Sequence, residues 1–296
     1  MNINKVMNTK ILSLVAVAVL GALALPAQVS AISILGSAED FAVLGGSAVT
    51  NIPTSTISGS VGVWSSGGAN AISGFNSSPG LAVSDPQVTN GTVQAGTAEA
   101  MAAQGNLTDA ITSLGLLGTG TTLANFDLAG LTLTPGVYTV HAGTSNLTGA
   151  LTLDGLGDIN AAWVFLMDSS LITSPGSSVN MINTGSGAGV FWDVRSSATL
   201  DTSTSFQGNI LALSSITLNT GASIGCGRAL ASTGEVTLAG NTISAGCSGG
   251  LTVSESGGIP SFVSPPISAV PLPAALPLMG AGVLGLVGIA RRRKHS

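Results

Sequence analysis

The segment TLDTSTSFQGNILALSSITL (Thr199–Leu218) begins and ends with the same dipeptide, and related dipeptides recur in the surrounding chain. Thr or Ser followed by Leu occurs at Thr132-Leu133, Thr152-Leu153, Ser170-Leu171, Thr199-Leu200, Thr217-Leu218 and Thr237-Leu238. Successive occurrences are 20, 18, 29, 18 and 20 residues apart. A period near twenty residues is typical of a solenoid in which each repeat forms one coil.

Short runs of residues with high strand propensity lie between these dipeptides, separated by Gly, Asn, Ser and Pro. The clearest runs are Val137–Val140, Trp163–Met167, Val190–Val194 and Asn209–Leu213. This pattern predicts a parallel β-helix. Because successive side chains in a strand point to opposite faces, each Leu should point inward and the preceding Thr or Ser outward. Stacking would then form one outward ladder of hydroxyls about 4.8 Å apart, containing Thr132, Thr152, Thr199, Thr217 and Thr237.

The charge of the chain is unevenly distributed. Six of the eight cations lie near the two ends, so the body keeps only Arg195 and Arg228 against thirteen carboxylates, a net charge of −11. A surface of this sign repels phosphate groups, which argues against nucleic-acid binding. Charged residues make up 7% of the chain and apolar residues 45%, so the chain can bury a long core beneath a surface of hydroxyls and small side chains.

Both ends carry an apolar run next to basic residues. Residues 1–31 are predicted to form a signal peptide, because Lys5 and Lys10 precede the apolar run Ile11–Leu25. A retained membrane anchor is the alternative. At the other end, Ala274–Ala290 is apolar and is followed by Arg291–Lys294. The positive-inside rule places both basic ends in the cytoplasm and the intervening chain outside it.

Three further segments complete the organisation predicted for the chain. Residues 32–250 are predicted to form the β-helix domain, whose N-terminal part supplies the first coils or a cap. Residues 94–114 show helical spacing of apolar residues and predict one amphipathic helix packed along the β-helix. A membrane or partner helix is disfavoured because this helix lacks Lys and Arg. Residues 251–269 are predicted to be a linker rich in Pro, Ser and Gly.

The two cysteines, Cys226 and Cys247, are 21 residues apart in a chain that is predicted to be exported, so we expect a disulfide between neighbouring coils. No catalytic, metal or cofactor site is predicted. Gly221–Gly225 matches the pattern G-x-S-x-G, but no helical pattern follows it. Asp154 and Asp158 are expected to be turn residues, with a weak calcium site as the alternative, and Arg195 and Arg228 to be paired structural charges.

The body resembles the DUF3494 type of ice-binding proteins. The similar stretches include EDFAVLGGSAVTN (Glu39–Asn51), GVFWDVRSSATL (Gly189–Leu200), FQGNILALSSITLNTGA (Phe206–Ala222) and GRALASTGEVTLAGNTI (Gly227–Ile243). The resemblance implies an all-β solenoid, an irregular right-handed parallel β-helix with one long α-helix alongside.

The same resemblance implies ice contact through steps of the form Thr-Ala/Gly-x-Thr/Asn on a flat face. The corresponding steps start at Thr173, Thr202 and Thr220, and the third of them, TGAS, is the closest to this form. The ice-contact residues implied in this way are Thr173, Thr202, Thr204, Ser205, Thr220 and Ser223.

Residues 270–296 resemble the PEP-CTERM class of bacterial sorting signals, in the variant that opens with VPLPA (Val270–Ala274). The resemblance implies processing by an exosortase-type enzyme, transient membrane contact through the tail, and export to the surface or extracellular matrix of a Gram-negative bacterium. A plain C-terminal anchor is the alternative.

These observations favour a secreted, monomeric, non-enzymatic protein whose partner is the surface of an ice crystal. The alternative function is that of a structural or adhesive matrix protein without ice activity. A carbohydrate-active β-helix enzyme is disfavoured, because the carboxylates of the body are scattered.

Overall fold

The fold is known from a computed structural model, which describes residues 32–52, 54–65, 71–143, 145–253 and 259–263. Its strands are short because a turn interrupts the chain every few residues. In chain order they are β1 (Ile32–Ser33), β2 (Phe41–Gly45), β3 (Val49–Ile52), β4 (Thr56–Ser58), β5 (Ser60–Val63), β6 (Ile72–Ser73), β7 (Ala82–Val83), β8 (Val88–Thr89), β9 (Val93–Ala95), β10 (Thr121–Thr122), β11 (Thr132–Leu133), β12 (Gly136–Val140), β13 (Ala150–Asp154), β14 (Ala162–Met167), β15 (Leu171–Ile172), β16 (Ser178–Ile182), β17 (Gly189–Val194), β18 (Ala198–Leu200), β19 (Ser205–Ala212), β20 (Ile216–Leu218), β21 (Ser223–Ala231), β22 (Val236–Ala239), β23 (Thr242–Ser244), β24 (Leu251–Val253) and β25 (Ser261–Phe262).

Parallel pairing arranges most of these strands in three stacks around one core, so each coil has three faces. We call them the helix face, the threonine face and the serine face. The helix face comprises β10, β12, β14, β17, the second halves of β19 and β21, β2, β5 and β9. The threonine face comprises β15, β18, β20, β22, β3 and β6. The serine face comprises β11, β13, β16, the first residues of β19 and β21, β23, β4 and β8.

The coils are not stacked in chain order. The N-terminal coil formed by β2, β3 and β4 lies directly on the C-terminal coil, where these strands pair with β21, β22 and β23. The coils that begin with β5 and β9 extend the stack on one side, and those from β10 onward extend it on the other. The predicted N-terminal coils therefore exist, but they stack next to the C-terminal end of the repeated region.

One α-helix, α1 (Ala98–Gly115), packs along the helix face, as predicted. It begins four residues after the predicted start because Val93–Ala95 pairs as β9 and because Thr97 caps the helix, its hydroxyl accepting a hydrogen bond from the Ala100 N–H at 3.1 Å. The buried side of α1 contacts the outward side chains of the helix face, including Leu44, Phe191 and Leu230. No helix within the described residues is long and apolar enough to cross a membrane.

The core consists of inward side chains from all three faces. The Leu of the repeated dipeptide is fully buried at Leu153, Leu171, Leu200, Leu218 and Leu238, as the alternation predicts. Aromatic rings from adjacent helix-face strands also stack inside, with Phe165 and Trp192 centroids 4.0 Å apart. Each coil thus buries its own apolar residues against the next coil, which is how a solenoid extends one core.

A small antiparallel sheet joins the two ends of the described chain. Strand β24 pairs with β1 on one side and with β25 on the other. The structured body therefore extends to Val263, into the segment predicted to be a linker. The predicted signal peptide, residues 1–31, and the predicted sorting tail, residues 270–296, lie outside the described residues.

The predicted disulfide is present between Cys226 of β21 and Cys247, which follows β23, with a Cα–Cα distance of 5.5 Å. Cys247 lies on the coil after that of Cys226, so the bond joins neighbouring coils.

Candidate binding surface

Of the three faces, the helix face is covered. Its outward side chains form a second buried cluster with α1 and with the 3-10 helix Gly36–Asp40. The threonine and serine faces carry outward residues that are partly or fully exposed in the described coils. A broad ligand can therefore approach these two faces or the corner between them.

The threonine face presents a column of threonines in strict register. Thr199 of β18 is opposite Thr217 of β20, which is opposite Thr237 of β22, and Thr237 is opposite Thr50 of β3. All four side chains are partly exposed. Adjacent strands lie about 4.7–4.9 Å apart, so the hydroxyls and methyl groups repeat at that interval. The repeated dipeptide does not include Thr50, because Asn51 rather than Leu follows it.

The single ladder predicted from the dipeptides is wrong. Thr132 and Thr152 are opposite each other on the serine face, in β11 and β13, whereas Thr199, Thr217 and Thr237 lie on the threonine face. The dipeptide marks an outward residue followed by an inward Leu, and this alternation is the same on any face of the coil. Only the position of the turns determines the face on which a given strand lies.

The corner between the threonine and serine faces is built from one four-residue step in each coil. The steps PGSS (Pro175–Ser178), TSTS (Thr202–Ser205), TGAS (Thr220–Ser223) and AGNT (Ala239–Thr242) stack on one another. The second residue of each step has positive φ: 70° at Gly176, 59° at Ser203, 70° at Gly221 and 61° at Gly240. The backbone N–H of this second residue donates a hydrogen bond to the backbone carbonyl of the first residue of the next step. In one example, the Gly176 N–H donates to the Thr202 carbonyl at 2.9 Å.

The third residue of each step points inward, which corrects two of the predicted site residues. Thr204 occupies this position and is fully buried, as are Ser177, Ala222 and Asn241 in the other steps. Thr173 is also buried, with an exposure of 2%, because it follows Ile172, which is opposite the outward Thr199, and so takes an inward position by alternation. The step proposed to start at Thr173 is therefore shifted by two residues from the actual corner, which starts at Pro175. Neither Thr173 nor Thr204 can contact a flat external surface.

The two buried threonines instead form a hydrogen-bonded network inside the corner. The Thr173 and Thr204 hydroxyls are 2.9 Å apart, and Ser177 Oγ is 3.3 Å from Thr204 Oγ1. Thr173 Oγ1 also accepts the Asp201 N–H at 2.9 Å. This network satisfies polar groups that would otherwise be buried without partners.

The other four predicted residues reach the surface of the same corner. Thr202 and Thr220 are exposed at the first position of their steps, where they adjoin the threonine face. Ser205 is exposed and Ser223 partly exposed at the fourth position, where they are opposite each other on the serine face. Two of these four residues therefore adjoin the threonine face, and the other two lie on the serine face.

The serine face is the less regular of the two available faces. Its outward column is Ser178, Ser205, Ser223, Thr242 and Thr56. Beside this column the register between β19 and β21 shifts at Phe206 and Gln207, and the disulfide at Cys226 follows. Among the described strands, those of the threonine face pair in continuous register. The threonine face is therefore the flatter surface.

The two cations of the body are held in place. Arg195 Nη2 lies 2.7 Å from Asp193 Oδ2, so Arg195 is paired as predicted. The buried Arg228 instead donates to backbone carbonyls of Glu39 and Gly246 and to Asn209 Oδ1 at 2.7–2.9 Å. Asp193 is buried, and burial raises its pKa to about 6 in spite of the attraction of Arg195. Both arginines are thus engaged by groups of the body.

The remaining carboxylates of interest accept local hydrogen bonds. Asp154 accepts the Leu156 N–H and an Asn183 amide, which together lower its pKa, and Asp158 accepts the Asn160 N–H. The described residues contain no group of three or more His, Cys, Asp or Glu arranged to hold a metal ion. At Gly221–Gly225, Ser223 starts strand β21, so the strand–turn–helix context of a nucleophile does not occur there.

Comparison with known proteins agrees with this architecture. A family model described as ice-binding-like matches residues 43–244. An ice-binding protein from Nostoc sp. (strain HG1) is 41% identical over 288 residues, covering 97% of each chain. One from Flammulina populicola is 33% identical and covers 69% of this chain and 84% of its own.

Solved structures of ice-binding proteins are also similar. The protein from the Antarctic ascomycete Antarctomyces psychrotrophicus superposes with a TM-score of 0.62 at 31% identity, covering 73% of this chain and 98% of its own. One from an Antarctic biological consortium gives a TM-score of 0.59 at 36% identity, covering 73% and 92%. On the sequence match, the shared β-helical architecture and the similarity to these structures, the chain belongs to the ice-binding-like family.

Proposed function

We propose that this protein binds ice and that the threonine face, together with Thr202 and Thr220 at the adjoining corner, is the surface that adsorbs to the crystal. The observation that carries the proposal is the register of Thr50, Thr199, Thr217 and Thr237 on four consecutive strands. It is supported by the relatives, whose names identify them as ice-binding proteins.

The chemistry of this face suits water arranged on a lattice. Each threonine presents a hydroxyl that can donate and accept hydrogen bonds and a methyl group that orders adjacent water. Because the strands fix the backbone and the β-branched side chain has restricted χ1, the face holds its groups in place before contact. Little conformational entropy is then lost on adsorption, and a regular array can match a regular solid.

The low charge of the face also favours ice over other partners. The six strands of the threonine face, β15, β18, β20, β22, β3 and β6, contain no charged residue. Adsorbed molecules would force ice to grow with curvature between them, which slows growth and recrystallisation. No reacting group is required for this function.

We further propose that the protein is exported and acts outside the cell, at the surface or in the extracellular matrix of a Gram-negative bacterium. The support is the two apolar segments with basic flanks, Ile11–Leu25 and Ala274–Ala290, and the disulfide, which is typical of exported proteins. Processing of the tail by an exosortase-type enzyme, a monomeric state and right-handed winding of the coils belong to the same proposal. Right-handed winding is the hand that parallel crossover connections prefer.

The test is an assay of ice recrystallisation inhibition and thermal hysteresis on the purified Ile32–Val263 protein. We expect activity in the native protein, most of which is lost in Thr217→Tyr, because a large ring in the middle of the column separates the face from the ice. Thr152→Tyr is the matched control, because Thr152 is a partly exposed threonine on a strand of the serine face. Inactivity of the native protein at high concentration would favour a structural or adhesive matrix function instead.

A further inference from the structure

The two ends of the described chain leave the body at one place. Ile32 pairs with Val253 in β24, and β24 also pairs with β25, which ends one residue before Val263. Along the sequence, the chain continues from these two ends toward the apolar segments Ile11–Leu25 and Ala274–Ala290.

The small sheet lies at the edge where the serine face meets the helix face. Phe262 and Val263 line a cavity of about 320 Å³ with Pro135, Gly136, Asp158 and Asn160. Pro135 links β11 to β12, and Asp158 and Asn160 link β13 to β14, so all three lie on turns from the serine face to the helix face. We call this line of turns the tether edge.

In a coil with three faces, the edge between two faces is opposite the third. Each coil passes from the helix face to the threonine face, then to the serine face, and then back to the helix face, as β17, β18 and β19 do. The tether edge is the return from the serine face to the helix face. The threonine face is therefore the side of the body opposite the point at which the chain ends leave.

We propose that the tether edge is the side of the full-length protein that faces a lipid bilayer, so that the threonine face points away from the membrane toward external ice. This inference rests on the proposed function of the threonine face and adds an orientation to it. The partner at the tether edge is the bilayer in which the apolar segment Ala274–Ala290 is anchored before any processing.

The short distance along the chain from body to apolar segment supports this orientation. Ten residues, 264–273, separate Val263 from Ala274, and ten residues can span at most about 35 Å. To turn the threonine face toward the membrane, this segment would have to pass across a whole face. A face of five residues, such as β12 or β13, is about 17 Å wide, so the opposite orientation would use roughly half of that reach to pass around the body. The orientation with the tether edge toward the bilayer needs no such extension and costs less chain entropy.

The surface of the tether edge is also consistent with a neighbouring bilayer. Leu156, Ile159 and Phe262 are exposed there, at 70%, 53% and 40%. Asp154 and Asp158 lie on the same turn and would be repelled by anionic head groups. We therefore expect the edge to be held at the bilayer by the tail and not to bind lipid without it.

The orientation can be measured by energy transfer from a dye on the protein to a dye on the lipid head groups. Full-length protein would be reconstituted in phosphatidylcholine vesicles after labelling at Ser186→Cys or at Glu235→Cys. Ser186 is exposed on the turn from β16 to β17, at the tether edge, and Glu235 is exposed beside β22 on the threonine face. The same two variants truncated after Ala269 serve as controls for transfer without the tail.

We expect transfer from the Ser186 site to exceed that from the Glu235 site by about twofold or more, because the threonine face lies at least one sheet spacing, about 10 Å, farther from the bilayer. Equal transfer from the two sites, or stronger transfer from Glu235, would overturn the orientation. Failure of the full-length protein to associate with vesicles would overturn the tether.

The energy-transfer and vesicle-association measurements do not depend on ice binding. The recrystallisation assay on the Ile32–Val263 protein decides the proposed function separately. An active body whose two labels transfer equally would refute the orientation alone, whereas an inactive body would remove the role of the threonine face.

Discussion

Thr237 of β22 lies directly opposite Thr50 of β3, although the two residues come from opposite ends of the β-helical body. At this pair the N-terminal coils stack on the C-terminal coils, and the threonine column continues across the junction. The candidate ice-contact surface is therefore assembled from both ends of the body, so it is complete only in the folded protein.

This continuity predicts that Thr50→Tyr impairs ice activity as strongly as Thr217→Tyr, because both rings would protrude from one flat column. Thermal hysteresis and recrystallisation inhibition should fall together, while the free energy of unfolding should change by no more than about 0.5 kcal/mol, as is usual for surface substitutions. Circular dichroism melts would confirm folding. Full activity in the Thr50 variant combined with loss in Thr152→Tyr would move the site to the serine face.

Burial of Thr204 predicts a different result for that residue. Thr204→Lys should destabilise the fold by about 3 kcal/mol or more, because it places an ammonium group inside the corner and breaks the contacts with Thr173 and Ser177. Thr202→Lys, two residues away and exposed, should be within about 0.5 kcal/mol of the native protein. Denaturant unfolding of both variants measures the difference. Equal stability would mean that Thr204 is not buried in solution.

The bond between Cys226 and Cys247 predicts that unreduced, denatured protein contains no reactive thiol. Replacement of both cysteines by serine should lower the free energy of unfolding by about 3 kcal/mol, since the chain-entropy model gives this value for a loop of about twenty residues. Thiol titration and unfolding curves with and without reductant test the two statements. Two free thiols per chain would contradict the first.

Asp193 predicts a stability that falls as the pH rises. Burial raises the pKa of Asp193 to about 6 in the folded protein, from its ordinary value of 3.8. Below about pH 3.8 the carboxyl group is protonated in both states and its contribution is fully present. As the pH rises to about 6 the unfolded chain loses the proton first, so up to about 3 kcal/mol of this contribution is lost.

The Asp193→Asn variant should lack that fall between about pH 4 and pH 6. The carboxylates with lowered pKa, such as Asp154 and Asp201, act in the opposite direction and lose their contribution only as the pH drops through their folded-state values. Unfolding measurements at several pH values should therefore show a flatter profile in the variant. An unchanged slope would show that Asp193 does not titrate in this window.

Local patterns in the sequence were sufficient for the elements and the core. Alternation predicted that Leu200, Leu218 and Leu238 point inward, and they are fully buried. Helical spacing located α1 to within four residues at its start, and the exported character of the chain predicted the disulfide. The inward Leu residues and α1 follow from neighbouring residues in the chain. The disulfide follows from the oxidising compartment of an exported protein, so none of these features depends on the geometry of the coil.

The candidate surface required the tertiary structure, because the face on which a strand lies depends on where the chain turns. Two threonines in identical dipeptides, Thr152 and Thr217, point outward on different faces. Thr204 faces inward although it belongs to a step of hydroxyl residues, since Ser203, a residue with positive φ, turns the chain from the threonine face to the serine face just before it. The sequence by itself determined that a solenoid with outward hydroxyls forms. The stacking of coils from distant parts of the chain decided which hydroxyls share a surface, because register between strands is set by long-range hydrogen bonds that no local pattern specifies.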